Sequence, residues 1–185
     1  MSEAHLRASP PARRADIAQV AFDGRFEGYA SVFGVRDLAG DIVMPGAFRA
    51  SLATRGAAGI KMLYQHHAAK PIGVWSRLEE TPRGLYAVGR ILPEIARGRE
   101  LLALMRAGAL DGLSIGFHTL KARREERSGV RRLYEIDLWE ISIVTFPMQP
   151  AARISAFGPL EARAEDIDAL AETVKAATAR LARRP

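Results

Sequence analysis

A chain of 185 residues, 48% hydrophobic and 26% charged, has enough apolar content for one domain with a real core and enough length for a tail. It holds no cysteine, which excludes a disulfide scaffold, a thiolate zinc site and a cysteine nucleophile, and fits a reducing compartment. The formal charge of +6 permits an acidic or polyanionic partner but does not identify one.

Residues 1–15 mix small residues, prolines and arginines and read as a flexible N-terminal arm. Arg7, Arg13 and Arg14 lead into no apolar run, so no signal peptide is expected. No stretch approaches the roughly 18 apolar residues of a membrane span. The expectation is a cytoplasmic protein that stays out of membranes.

Residues 16–154 alternate strand-like runs with turn signals and read as the main domain. Phe26 to Phe33 is a strand, followed by a loop from Asp37 to Pro45. Gly46 to Leu52 predicts a short helix with Ala47, Phe48 and Leu52 on its apolar face. Lys61 to Gln65 is a short strand ending at His66-His67. Ile72 to Leu78 and Leu85 to Leu92 are strands joined by the turn Thr81-Pro82-Arg83-Gly84. Glu94 to Ala107 has helical spacing, with Gly108 as its C-terminal stop.

Asp111-Gly112 then turns into a strand from Leu113 to Leu120. A basic arm follows, turns at Ser128-Gly129 and returns through Leu133 to Phe146. The fold class expected is α+β: a strand-rich, closed or nearly closed β-barrel with helices around it. Residues 155–185 form a C-terminal helical tail. Leu160, Ala164, Ile167, Ala171, Val174, Thr178 and Leu181 follow the narrow seam of a docking or dimerising helix, or of one packed on its own domain.

A hydrolytic serine needs a base, a group that orients the base, and donors for the oxyanion. Ser114 lies in Leu113-Ser114-Ile115-Gly116-Phe117. Alternation turns Leu113, Ile115 and Phe117 to the core, and Ser114, Gly116 and His118 the other way. Gly116 beside the serine leaves room for a peptide backbone to approach. His118 is four residues on, roughly 13 Å away along an extended strand, too far for direct proton transfer. His5 lies in the arm, and His67 points opposite to His66 if the strand continues. That leaves His66, at a strand end, as the best available base.

The orienting group should be a carboxylate on another strand. In Trp139-Glu140-Ile141-Ser142-Ile143-Val144, regular alternation puts Trp139, Ile141 and Ile143 on the core face and Glu140 with Ser142 on the other. Glu140 could accept from a histidine or be a solvated carboxylate paired with an arginine. Asp137 and Asp41 are weaker alternatives.

Five segments in order carry a family resemblance: Phe26-Glu27-Gly28-Tyr29-Ala30-Ser31-Val32-Phe33; Asp41-Ile42-Val43-Met44-Pro45-Gly46-Ala47-Phe48; Leu63-Tyr64-Gln65-His66 with Pro71-Ile72-Gly73; Gly112-Leu113-Ser114-Ile115-Gly116-Phe117; and Leu138-Trp139-Glu140-Ile141-Ser142-Ile143-Val144-Thr145. Over roughly 130 residues the chain resembles the prohead serine proteases of tailed phages, relatives of the herpesvirus assemblins. The resemblance implies a herpesvirus protease-like barrel. It puts the nucleophile on Ser114, the base on His66 and the acidic member on Glu140. One departure is His67, where many relatives have an aspartate.

By analogy with the assemblins, the backbone amides of Met148 and Gln149 are oxyanion candidates, and a homodimer is invited. No metal or organic cofactor is implied. The implied substrate is the scaffolding part of a major capsid protein, and the chain itself, inside an assembling procapsid in a bacterial host.

Two other classes compete. Lys121, Arg123, Arg124, Arg127, Arg131 and Arg132 suit a nucleic-acid-binding hairpin, but Glu125, Glu126 and Glu135 dilute the charge and no aromatics interleave as stacking platforms. A catalytically inactive assembly scaffold is the second; intact Ser114 and His66 argue against it.

Overall fold

The computed structural model of the chain describes residues 23–157. The arm expected over 1–15 and, beyond Phe157, the expected helical tail lie outside the described residues. Within them run β1 (Arg25–Val32), β2 (Asp41–Val43), α1 (Arg49–Gly59), β3 (Lys61–Tyr64), β4 (His67–Glu80), β5 (Gly84–Ile91), α2 (Ala96–Arg106), β6 (Gly112–Arg124), β7 (Arg131–Val144) and β8 (Ile154–Phe157).

All eight strands belong to one sheet, in the order β2-β7-β3-β4-β5-β1-β8, with β6 paired to β7. The architecture is α+β: a curled, open half-barrel sheet with helices around it. β8 approaches the start of β6, where Leu113 N–H donates to Ala152 O at 3.1 Å and Ile154 N–H to Asp111 O at 2.9 Å. The curl encloses Phe48, Met62, Ile72, Leu85, Ile91, Leu113, Ile136, Leu138 and Ile141, all fully buried. Each such side chain contributes roughly 1.5–3 kcal/mol by leaving water.

The hub is β7. It runs antiparallel to β6 along its whole length, and parallel to β2 at its start and to β3 in its second half. Three strands that are distant in sequence, β3, β7 and β6, therefore lie side by side. The short strand β2 falls in the stretch expected as loop; three residues, paired to β7 and bridged to Arg36, are too few to show a period of two.

Helix α1 begins and ends later than its apolar face suggests. Glu80, at the end of β4, accepts from the Phe48 amide at 2.8 Å and the Gly46 amide at 3.1 Å. That carboxylate meets the free donors and partial positive charge of a helix start whose first turn has no acidic residue. Gly56, at φ 59° and ψ 179°, kinks the helix, and the Ala- and Gly-rich sequence around it carries no clear apolar stripe.

Helix α2 matches its expectation closely. It buries Leu101, Leu102 and Met105 and stops at Gly108, whose φ is 69°. Gly108 N–H donates to Met105 O and Ala109 N–H to Leu104 O, the paired bonds of a Schellman stop.

Candidate active site

Ser114, on β6, pairs in register with Ser142 on β7, and Gly116 pairs with Glu140. Directly opposed residues share a face of the sheet, so Ser114, Gly116, Ser142 and Glu140 all stand away from the core formed by Leu113, Ile141 and Ile143. β3 flanks β7 on its other side, with Leu63 opposite Ser142 and Tyr64 opposite Ile143. The chain then reverses through Gln65 and His66 into β4, where His67 pairs back with Tyr64.

That two-residue turn has φ of 53° at Gln65 and 57° at His66. Both values lie in the left-handed region a tight hairpin demands, and neither residue is a glycine. The turn is held from β7: Gln65 N–H donates to Ile143 O at 3.1 Å, Gln65 Nε2 to Thr145 Oγ1 at 2.7 Å, and His66 N–H to Ser142 Oγ at 2.9 Å. His66 is thus folded back over the outer face of β7 and does not continue a strand.

The result is a hydrogen-bonded line. His66 Nε2 lies 2.9 Å from Ser114 Oγ, and His66 Nδ1 lies 2.6 Å from Glu140 Oε1. A carboxylate can only accept, so the neutral ring carries its proton on Nδ1 and leaves Nε2 to accept from the Ser114 hydroxyl. Ser114 is 4% exposed and Glu140 7%, whereas the His66 side chain is 45% exposed. A buried hydroxyl and a buried carboxylate therefore meet an imidazole that opens to solvent. Such a line can move a proton from the serine to the ring while the carboxylate holds the ring's tautomer.

Trp139 departs from the expected alternation. It is 39% exposed, while Leu138 and Ile141 are both fully buried. The β6–β7 register shifts here, since Gly116 faces Glu140 but Phe117 faces Leu138. Trp139 is the extra residue of a bulge, and the bulge moves the core positions from 136 and 138 to 141 and 143. It also aims Glu140 to the serine's side and turns the indole into a cleft.

That cleft measures about 580 Å³ and is lined by His66, Glu140, Trp139, Phe117, Ile115 and Leu63 among others. A much smaller space, about 40 Å³, is lined by Ser114 itself with Ala30, Leu113, Met148 and Gln149 among others.

The remaining sequence candidates lie elsewhere. His118 packs its ring on Trp139, with centroids 3.9 Å apart. Asp137 is held by Arg55 through two bonds of 2.8 and 2.7 Å, and Asp41 by the Arg131 guanidinium. His67 is exposed in β4. In the basic hairpin, Arg131 and Arg132 are engaged by Asp41 and Glu125, and Arg124 by a backbone carbonyl. Among the described residues no group of three or more His, Cys, Asp or Glu could hold a metal ion, and no helix is long and apolar enough to cross a membrane.

Gln149 is buried, and its amide group ties the loop after β7 to the end of β1. Oε1 accepts from Val32 N–H at 2.6 Å, while Nε2 donates to Val32 O at 3.0 Å and Val35 O at 2.9 Å. In the sequence only its backbone amide stands out as an oxyanion candidate, and Ser142 carries no role. This hydroxyl is fully buried among apolar neighbours, and its Oγ–H donates to Glu140 Oε2 at 2.8 Å. A lone serine two residues from Glu140, inside the apolar run Ile141–Val144, is the available signal.

A serine hydroxyl, an imidazole and a carboxylate thus stand in one hydrogen-bonded line on the outer face of the curled sheet. The chain belongs to the caudovirus prohead serine protease family, whose profile matches residues 13–170. It is 38% identical over 135 residues to the prohead protease of Enterobacteria phage HK97, covering 72% of this chain and 60% of that protein. It is 29% identical over 126 residues to the prohead protease of Escherichia phage T5, covering 66% of this chain and 58% of that one. The chain thus spans about three fifths of the length of these curated relatives.

Among solved structures, the capsid assembly protease of bacteriophage T4 superposes with a TM-score of 0.51 at 14% identity, covering 66% of this chain and 82% of that one. That likeness is one of fold. A protease of KSHV superposes at 0.49 with 12% identity, covering 82% of this chain and 76% of that one.

Proposed function

We propose that the chain is a serine endopeptidase in which Ser114 is the nucleophile, His66 the general base and acid, and Glu140 the group that orients His66. The carrying observation is the unbroken line from Ser114 Oγ through the His66 ring to Glu140 Oε1, at 2.9 and 2.6 Å. Membership of the prohead protease family supports the same reading.

In this mechanism Nε2 takes the Ser114 proton as Oγ attacks a peptide carbonyl. The charge on the ring is stabilised by Glu140, whose carboxylate accepts the hydrogen bond from Nδ1–H. His66 then gives its proton to the leaving amine, and water repeats the sequence on the acyl-enzyme. The oxyanion would be met by the backbone amides of Met148 and Gln149, whose residues line the small space beside Ser114. The apolar cleft bounded by Trp139 and Phe117 would receive substrate side chains on the histidine's side.

The substrate proposed is the scaffolding part of a major capsid protein, with the chain itself as a second substrate, inside an assembling procapsid in the bacterial cytoplasm. Relatives that carry the name prohead protease support this assignment. A homodimer is proposed from the apolar seam of the tail sequence. The bonds linking the β8 end of the chain to the start of β6 would close the barrel.

Co-expression with the cognate capsid protein tests the reading. The native chain should shorten the capsid protein, and Ser114→Ala should leave it full-length. Equal shortening by both would overturn the assignment.

A further inference from the structure

We propose that Ser142 is a positioning residue for this reaction, acting through His66 and Glu140; the proposal rests on the catalytic reading above. Ser142 is fully buried, on the face of β7 opposite Ile141 and Ile143, and it interrupts the apolar run that ends the strand. A hydroxyl survives in such a place where its hydrogen bonds are met. Both of its bonds go to members of the catalytic line: it accepts from His66 N–H at 2.9 Å and donates to Glu140 Oε2 at 2.8 Å.

With the Nδ1–Oε1 contact of 2.6 Å, these bonds close a ring. The ring runs from the His66 backbone through the Ser142 hydroxyl and the Glu140 carboxylate to the His66 imidazole. One hydroxyl therefore gauges the separation between the backbone that carries the base and the acid that orients it.

Two features make this control necessary. Gln65 and His66 both sit at positive φ, which their side chains disfavour, so the turn depends on outside contacts for its shape. Ile143 O and Thr145 Oγ1 hold Gln65, and Ser142 Oγ is the contact that holds His66. The terminal torsion of a glutamate is also broad and nearly two-fold, so Oε1 alone does not fix the carboxylate plane. Ser142 fixes it through Oε2.

The test uses the full chain and a fluorescent alkyl fluorophosphonate, which reports an activated serine without knowledge of the substrate. Labelling rates are compared across neutral to mildly alkaline pH for the native chain, Ser114→Ala, Ser142→Ala and Ser142→Thr, with thermal melts to verify folding. Ser142→Ala should label roughly 10- to 100-fold more slowly, the scale of a small misplacement of reacting groups. Ser142→Thr, which keeps the hydroxyl, should recover most of the rate.

A second readout needs no chemistry. The downfield proton NMR signal of His66 Nδ1–H, measured in the Ser114→Ala chain, should move upfield or vanish when Ser142→Ala is added. Native labelling in Ser142→Ala, or slowed labelling with the proton signal unmoved, would overturn the proposal. Labelling of Ser114→Ala at the native rate would instead sink the catalytic reading, and the proton signal would still decide the role of Ser142.

Discussion

Gly116 and Glu140 face each other across β6 and β7, and the Glu140 carboxylate fills the space that a side chain at Gly116 would need. A Cβ on Gly116 would press into Glu140 Oε1 and lie 2.6 Å from Trp139 Nε1. The sequence suggests that this glycine makes room for an approaching peptide. In the structure the room is taken by the Glu140 carboxylate.

Gly116→Ala should therefore push the carboxylate off His66 while leaving the core residues of β6 in place. Labelling of Ser114 by a fluorophosphonate should fall by about 100-fold, since a shift near 1 Å in a reacting array has that scale. A melting temperature close to native would show that the loss is one of geometry. Native-rate labelling would mean that Glu140 is not needed where it stands.

Glu140→Gln keeps the size of the side chain but can donate as well as accept. Its amide would favour the wrong tautomer, with the proton on Nε2, where it cannot receive the Ser114 proton. The analogous change in the serine protease template costs about 10⁴-fold. Capsid-protein cleavage by this variant should fall to that extent. A loss under tenfold would assign the orienting role elsewhere.

Gln149→Ala tests the loop after β7 through its side chain. The change strands the Val32 amide and removes donors from two carbonyls, so stability should drop by about 1–3 kcal/mol in denaturant titration. Labelling at Ser114 should slow too, because the tie that sets the Met148 and Gln149 amides would be gone. Loss of stability with unchanged labelling would remove this loop from the oxyanion site.

Asp37 makes a pH prediction. Burial lifts its carboxyl above the ordinary aspartate value of 3.8; the Asp41 amide pulls it down and the Asp41 charge pushes it up again. A raised value means that the folded state binds the proton more tightly than the unfolded one. The stabilisation is therefore complete below 3.8 and is lost as pH rises through the elevated folded value. Asp37→Asn, which can still accept from the Asp41 amide, should melt higher than native at neutral pH and lose that advantage in acid. The same difference at both pH values would contradict this.

Much of the strand framework was readable because its causes are local. Alternation in Leu113–Phe117, the turn Thr81-Pro82-Arg83-Gly84 before Leu85–Leu92 and the glycine stop at Gly108 each act within a few residues. The same locality singles out Ser114, on the face opposite Leu113 and beside a glycine. It does not extend to α1, whose start is capped by Glu80 from another element. Nor does it reach β2, which exists as a strand through its pairing with β7.

Trp139 marks where local reasoning fails at the site itself. Strict alternation sends the indole to the core, but the register of β6 against β7 inserts it as a bulge and leaves it 39% exposed. That register is a property of two strands, so one strand's pattern cannot reveal it.

By itself, then, the sequence determined that a strand-borne Ser114 stands opposite an apolar face, since a period of two is built into an extended chain. Only the tertiary structure decided that His66 and Glu140 reach it. Their meeting depends on β3, β7 and β6 lying side by side, on a left-handed turn held from β7, and on one bulge. Each of these is a long-range contact, and no short window of sequence contains it.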